Sequence, residues 1–234
     1  MDQSIRIHRL DLGYFVRPSS ETGGSHPRVE PVLAYAVRHP DGVLLFDTGI
    51  GDAGPETEAY YRPHRRPLDA ALAGAGLTRA DITLIVNCHL HFDHCGGNPL
   101  FPGIPILVQA AELATARRGG YTADHCVDFP GATYQELDGE AKLLPGIRVL
   151  PTPGHTPGHQ SLAVTTSDGT TVLAGQAHDT SAEYGAAHLA RHATLGGLEP
   201  PLPPCPTWHD RLAELDPRRA FFAHDSAVWE SVTS

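Results

Sequence analysis

The chain has 234 residues and a formal net charge of −10, with 17 Lys and Arg against 27 Asp and Glu. That excess of negative charge excludes nucleic acid and anionic membrane surfaces as partners, because both repel it. Hydrophobic residues make up 41%, enough for a core, and no apolar run is long enough to span a bilayer.

The start, Met1 to Leu10, lacks the apolar stretch of a signal peptide. Four cysteines, Cys88, Cys95, Cys126 and Cys205, have no C-x-x-C spacing and read as reduced thiols in a cytoplasmic protein. A single domain over residues 1–234 is expected.

In chain order, Ser4 to Leu10 alternates weakly and predicts a first strand. Val32 to Val37 and Val43 to Phe46 are apolar runs joined by His39-Pro40-Asp41-Gly42, a turn in which proline presets φ and glycine accepts positive φ. Residues 51–67 are rich in Gly, Pro and charge and read as loop; so does the segment from Gly13 to His26, and both are expected to border the site. The basic run Arg62 to Arg66 is short, broken by Pro63, and reads as solvated loop that could also touch a substrate. Leu68 to Leu77 has helical spacing with Gly76 as its cap. Strands are predicted at Ile82 to Val86 and near Ile104 to Val108, then a helix from Ala110 to Arg117, and an irregular stretch over 119–130. Ile147 to Leu150 is a further strand, and Ser161 to Thr165 with Thr171 to Ala174 form a hairpin around Ser167-Asp168-Gly169. Residues 176–206 read as loop, proline-rich at the end. Thr207 caps a helix from Trp208 to Leu215, and Ala220 to Ala223 is a last strand that delivers His224. Strands followed by helices in both halves predict an α/β fold of two packed sheets with helices outside.

The densest chemistry directly follows the strand at Ile82 to Val86. Asn87-Cys88-His89-Leu90-His91-Phe92-Asp93-His94-Cys95-Gly96-Gly97 puts three imidazoles and a carboxylate into six residues. His89, His91 and Asp93 are two apart, so an extended or tightly looped backbone can turn them to one side. Nitrogen and oxygen donors of this kind suit zinc, iron or manganese. The alternative is a solvated polar loop. With 15 histidines in 234 residues, a chance H-x-H-x-D-H arises on the order of once in a few hundred chains, which favours ligands. Cys88 and Cys95 flank the run as either further ligands or small packing residues. No G-x-S-x-G elbow offers a serine nucleophile.

Three more segments follow predicted strands: Thr152-Pro153-Gly154-His155-Thr156-Pro157-Gly158-His159, Ala174-Gly175-Gln176 and Phe222-Ala223-His224-Asp225. Together with Asp47-Thr48-Gly49 they resemble the metallo-β-lactamase superfamily over most of the chain. The runs H-L-H-F-D-H-C-G-G-N and T-P-G-H-T-P-G-H-Q-S-L and the terminal H-D resemble its N-acyl-homoserine lactonase group, although glyoxalase II-like thioesterases share a similar turn. The resemblance implies an αβ/βα sandwich of two mixed sheets with helices on the outer faces. It implies one metal held by His89, His91 and His155 and a second held by Asp93, His94 and His224. The metals, Zn2+ first with Mn2+ or Fe2+ as alternatives, would activate the hydroxide that attacks the substrate carbonyl. Asp47 is either the group that orients a ligand histidine or a plain turn aspartate, and His159 reads as support rather than ligand.

Two positions depart from the family pattern. Its bridging aspartate falls at Gln176, a neutral amide that leaves two dications with one carboxylate fewer, so the second metal is expected to bind more weakly unless His178 or Asp179 swings in. Its carbonyl-polarising tyrosine falls at Asp179; Tyr184 is nearby but reads as a surface side chain. The candidate catalytic residues are therefore Asp93, Asp179 and Tyr184. The expected activity is hydrolysis of a lactone, N-acyl homoserine lactone first, with quorum quenching as its consequence. A thioesterase, and a metal-binding protein weakened by Gln176, are the alternatives.

Overall fold

Residues 4–198 and 205–231 are described by the computed structural model. The strands are β1 (Arg6–Arg17), β2 (Arg28–His39), β3 (Gly42–Phe46), β4 (His64–Arg65), β5 (Ile82–Val86), β6 (Pro105–Gln109), β7 (Thr133–Leu137), β8 (Ala141–Leu144), β9 (Ile147–Pro151), β10 (Gln160–Thr166), β11 (Gly169–Leu173), β12 (Pro217–Phe221) and β13 (Trp229–Glu230). The helices are α1 (Ser19–Thr22), α2 (Pro55–Tyr61), α3 (Leu68–Gly74), α4 (Phe92–Cys95), α5 (Ala110–Ala116), α6 (Asp124–Val127), α7 (Ser181–Leu195) and α8 (Thr207–Ala213). One sheet has the order β4-β1-β2-β3-β5-β6-β7 and the other β13-β12-β11-β10-β9-β8. Both are mixed: β3, β5, β6 and β7 run parallel, as do β11 and β12, and the remaining pairs are antiparallel.

Alternation along the strands assigns each side chain to a layer. In β2, Leu33, Tyr35 and Val37 enter the core between the sheets, where they meet Ile147, Val149, Leu162, Val164 and Leu173 of the second sheet. Their neighbours Val32, Ala34 and Ala36 face outward onto Leu68, Leu72 and Leu113 of α3 and α5. In the second sheet, Leu150, Ala163 and Val172 face Tyr184 and Leu212 of α7 and α8. Because both faces of each sheet are covered, the central strands read as continuous apolar runs. This is the αβ/βα sandwich expected from the resemblance.

Several boundaries differ from expectation. The first strand continues to Arg17, so the segment from Gly13 is sheet before it is loop. The Gly- and Pro-rich 51–67 region holds α2 and β4. β7 and β8 were not anticipated; their exposed faces break the apolar alternation. The main correction is α7, a 15-residue helix inside the stretch read as loop. It starts with a capping box: the Glu183 N–H donates to Thr180 Oγ1, and the Glu183 carboxylate accepts the Thr180 N–H. Pro206, rather than Thr207, precedes α8. The proline-rich end of the predicted loop, 199–204, lies outside the described residues.

Candidate metal centre

The histidine run leaves the end of β5 and closes into the single turn of α4. Two glycines make that closure possible. A Cβ on Gly96 would lie 1.7 Å from the Gly51 nitrogen, and one on Gly97 would lie 2.5 Å from the Thr48 carbonyl oxygen. Only hydrogen at both positions lets the run dock against the Asp47–Gly51 segment. Asp47 itself has φ +63, an uncommon conformation for which Asp is one of the better-suited residues. It accepts the Cys88 N–H at 2.8 Å through Oδ1 and lies 3.0 Å from His94 Nδ1 through Oδ2.

Two groups of ligating atoms converge. His91 Nδ1 is 3.0 Å from His89 Nε2 and 3.2 Å from His155 Nε2. His94 Nε2 is 3.1 Å from His224 Nε2 and 3.4 Å from Asp93 Oδ2, and His224 Nε2 is 3.3 Å from the same oxygen. Nitrogen ligands about 2.0–2.1 Å from a tetrahedral zinc are roughly 3.3 Å apart, so both triangles fit a cation of that size. The His89 and His94 rings, one from each group, have centroids 4.0 Å apart. Burial first, then neighbouring imidazoles, push His89 well below its usual pKa and His155 down to about 3, so both offer free lone pairs. Burial opposes charge on Asp93, but His94 and then His224 outweigh it and hold the carboxyl well below its usual range. The far nitrogens are anchored as ligand histidines require: His94 by Asp47 and His224 by the Pro31 carbonyl at 2.9 Å.

His159 lies beside these groups but has both nitrogens engaged. Its Nε2 accepts the Gln176 N–H at 3.0 Å, and its Nδ1 lies 3.1 Å from the Thr152 carbonyl. The Cys88 thiol sits beneath both groups, 3.0 Å from Asp47 Oδ2 and 3.1 Å from His89 Nδ1; burial pushes its pKa up, so it stays a thiol. Cys95 is likewise buried, its thiol facing the Leu90 carbonyl.

A cavity of about 520 Å³ opens above the groups, lined by His91, Asp93, His155 and Gln176 and walled by Phe15, Tyr61, Phe92 and Tyr121. Segments from both predicted bordering regions contribute: Phe15, Arg17 and Glu21, then Ala53, Glu56, Thr57 and Tyr61. Of the run Arg62 to Arg66, none lines this cavity; Arg65 pairs with Glu58.

A profile of the metallo-beta-lactamase superfamily matches residues 27–224. The chain belongs to the metallo-beta-lactamase superfamily. Among relatives within the superfamily, an N-acyl homoserine lactonase of a Bacillus species is 34% identical over 155 residues, covering 61% of this chain and 62% of its own length. The chain thus spans less than two thirds of that relative. An N-acyl homoserine lactonase of Bacillus thuringiensis is 30% identical over 210 residues, covering 83% of this chain and 81% of its own. A crystal structure of a quorum-quenching N-acyl homoserine lactone lactonase superposes with a TM-score of 0.74 at 26% identity, over 97% of this chain and 95% of that one.

Three candidates stand apart from the superfamily-type site. Tyr184, read as a surface side chain and a catalytic candidate, is fully buried on α7 against His209, Phe222 and Trp229, and it does not line the cavity. Its place in the first turn of a helix packed on the second sheet explains this. Asp179 does not swing into the second group: its Oδ2 lies 2.5 Å from Arg17 Nη1 and 3.2 Å from Arg28 Nη2. His178 packs against Trp208, 5.4 Å between ring centroids, also away from the groups. Gln176 does face the cavity; its Nε2 donates to Asp179 Oδ1 at 3.1 Å, which turns its Oε1 away from Asp179.

Glu112 was not anticipated. It is buried on α5 and accepts the Leu90 N–H at 2.8 Å, the Thr156 hydroxyl at 2.7 Å and the Tyr121 hydroxyl. It thereby ties the histidine run, the His155 turn and the cavity wall together. A Cβ on Gly158 would lie 2.3 Å from the Glu112 nitrogen, so the turn needs glycine there to reach it. An acidic residue in a helix's first turn ordinarily reads as a surface partner of the helix dipole, which hid its role.

Proposed function

We propose that this chain is a metal-dependent hydrolase that opens the lactone ring of N-acyl homoserine lactones, with quorum quenching as the consequence. The observation that carries the reading is the pairing of two three-ligand groups, His89, His91 and His155 beside Asp93, His94 and His224, beneath one cavity. The lactonase relatives support the substrate class. Zinc, or manganese or iron, when bound there, supplies an acidified water and an electrophile for the carbonyl.

The chain's own residues do the rest. Phe15, Tyr61, Phe92 and Tyr121 give the acyl chain an apolar wall that excludes water. Asp93 has one oxygen on His94 and His224, and its other oxygen, held ionised by them, accepts a hydrogen bond from the attacking water and orients it. Cys88 is not the nucleophile, since its thiol is buried and protonated. Gln176 contributes a carbonyl oxygen where a carboxylate would add a charge, so the second group binds its ion more weakly than the first.

Four unpaired cysteines support a cytoplasmic setting. Among the described residues, no helix is long and apolar enough to cross a membrane.

The test is acid release from N-hexanoyl homoserine lactone by zinc-loaded protein, with a thioester and a simple aryl ester as comparison substrates. Lactone opening that chelator abolishes and zinc restores is expected. A preference for the thioester, or an unchanged rate in chelator, would overturn the reading.

A further inference from the structure

Arg17, the last residue of β1, lines the same cavity as Gln176, His91, Asp93 and His155. Phe15 lies two residues earlier and so on the same strand face, where its ring meets the His224 ring edge-on at 5.3 Å. The Arg17 side chain is only 13% exposed and is held on two sides. Its Nη1 lies 2.5 Å from Asp179 Oδ2 and 3.6 Å from Glu30 Oε1, and its Nε lies 3.5 Å from Glu21 Oε2. Arg28 braces the same acids, 2.6 Å from Glu30 and 3.2 Å from Asp179. Among the described residues Nη2 of Arg17 makes no hydrogen bond, and it is not one of the buried unpaired atoms, so it keeps some exposure in a residue that lines the cavity.

An ionised carboxylate only accepts hydrogen bonds, so Asp179 cannot stabilise an oxygen that gains negative charge. A guanidinium fixed by carboxylates on its other nitrogens can, and its orientation is set before the substrate arrives. We propose that Arg17 donates through Nη2 to the lactone carbonyl oxygen as that oxygen becomes negative. Asp179 then acts as a positioning residue, coupling Arg17 to Gln176 at the edge of the metal centre. This inference rests on the lactonase reading.

Arg17→Met alone leaves Glu21, Glu30 and Asp179 facing one fewer cation, so the informative variant is Arg17→Met with Asp179→Asn, which restores the charge count. It is expected to keep wild-type Tm and zinc content while kcat on N-hexanoyl homoserine lactone falls about 10²-fold and KM changes little. By calorimetry, zinc-loaded double variant should bind the ring-opened carboxylate product roughly tenfold more weakly than wild type, the size of one charge-assisted hydrogen bond. In Arg17→Ala, millimolar guanidinium should restore part of the rate and ammonium at equal ionic strength should not, a response that a purely structural arginine would not give. A folded, zinc-loaded double variant with kcat within about twofold of wild type would overturn the inference alone. Wild-type protein that opens no lactone would overturn the lactonase reading and this inference with it.

Discussion

Asp47 shows how much of this site depends on a single residue outside the ligand groups. Its backbone occupies the left-handed region, and its carboxylate holds the Cys88 N–H and His94 Nδ1 together. Asparagine tolerates the same φ, so Asp47→Asn removes the charge with little backbone penalty. Without that charge the His94 ring is a poorer donor on its metal side. The expected outcome is a roughly 10- to 100-fold loss of affinity at the Asp93, His94 and His224 group, read by competition with a chromogenic chelator, with the other group unaffected. Gln176→Asp should act in the opposite direction. It adds a carboxylate beside two cation sites, where charge outweighs the loss of one methylene. Metal content after dialysis against dilute chelator should rise towards two ions per chain; if wild type already retains two, the shortfall assigned to Gln176 is wrong. Because Gln176 donates to Asp179 in the wild type, the comparison is made with Asp179→Asn in both backgrounds, which removes the like charge beside the new carboxylate.

Among the elements, α7 and α8 enclose a cluster that plays no part in the proposed chemistry. His209 is fully buried between them, with neither ring nitrogen hydrogen-bonded, near His178, Tyr184 and Trp208. Burial, then His178 and His188, push its pKa down to about 4. An unfolded chain titrates this imidazole near 6.5, so the unfolded state binds more protons between those values. The contribution is whole above about pH 6.5 and is lost as pH falls towards 4. His209→Leu should therefore flatten the decline of Tm between pH 7 and 5 in zinc-loaded protein; an unchanged slope would mean that His209 charges without cost. The same helices mark where the sequence was hard to read. β2, β3, β5, β9 and β10 were legible because apolar runs and turn signals agree. α7 was not, because its face towards the sheet is mostly alanine and histidine, with only Tyr184 and Ala190 buried. Its capping box at Thr180 and Glu183 was the signal present in the sequence. The candidate ligands that the fold brings together were legible because H-x-H-x-D-H is rare, whereas Glu112 and Arg17 were not, because only the fold reveals what an isolated acid or base faces.

On the scale of the molecule, the two ligand groups join distant parts of the chain. His89 to His94 follow β5 of one sheet, His155 follows β9 of the other, and His224 follows β12. A bound ion is therefore a cross-link between sheets, and it stabilises the fold by mass action. Chelator should lower Tm, with a loss of ~4 kcal/mol where free metal had stood a thousandfold above its dissociation constant. His155→Ala should blunt that response, and a Tm indifferent to chelator would place the ions outside the described groups. The pairing of β11 with β12 adds a consequence for synthesis. These strands run parallel, and α7 and α8 lie between them in sequence. A growing chain carries His89, His91 and His155 well before β12 exists, and domains fold as the ribosome delivers them. The three-histidine group has all its residues once His155 is made, whereas the second group waits for His224. Synthesis therefore supplies the residues of the first group before those of the second, and a product that terminates before residue 224 lacks one of the three residues of the second group.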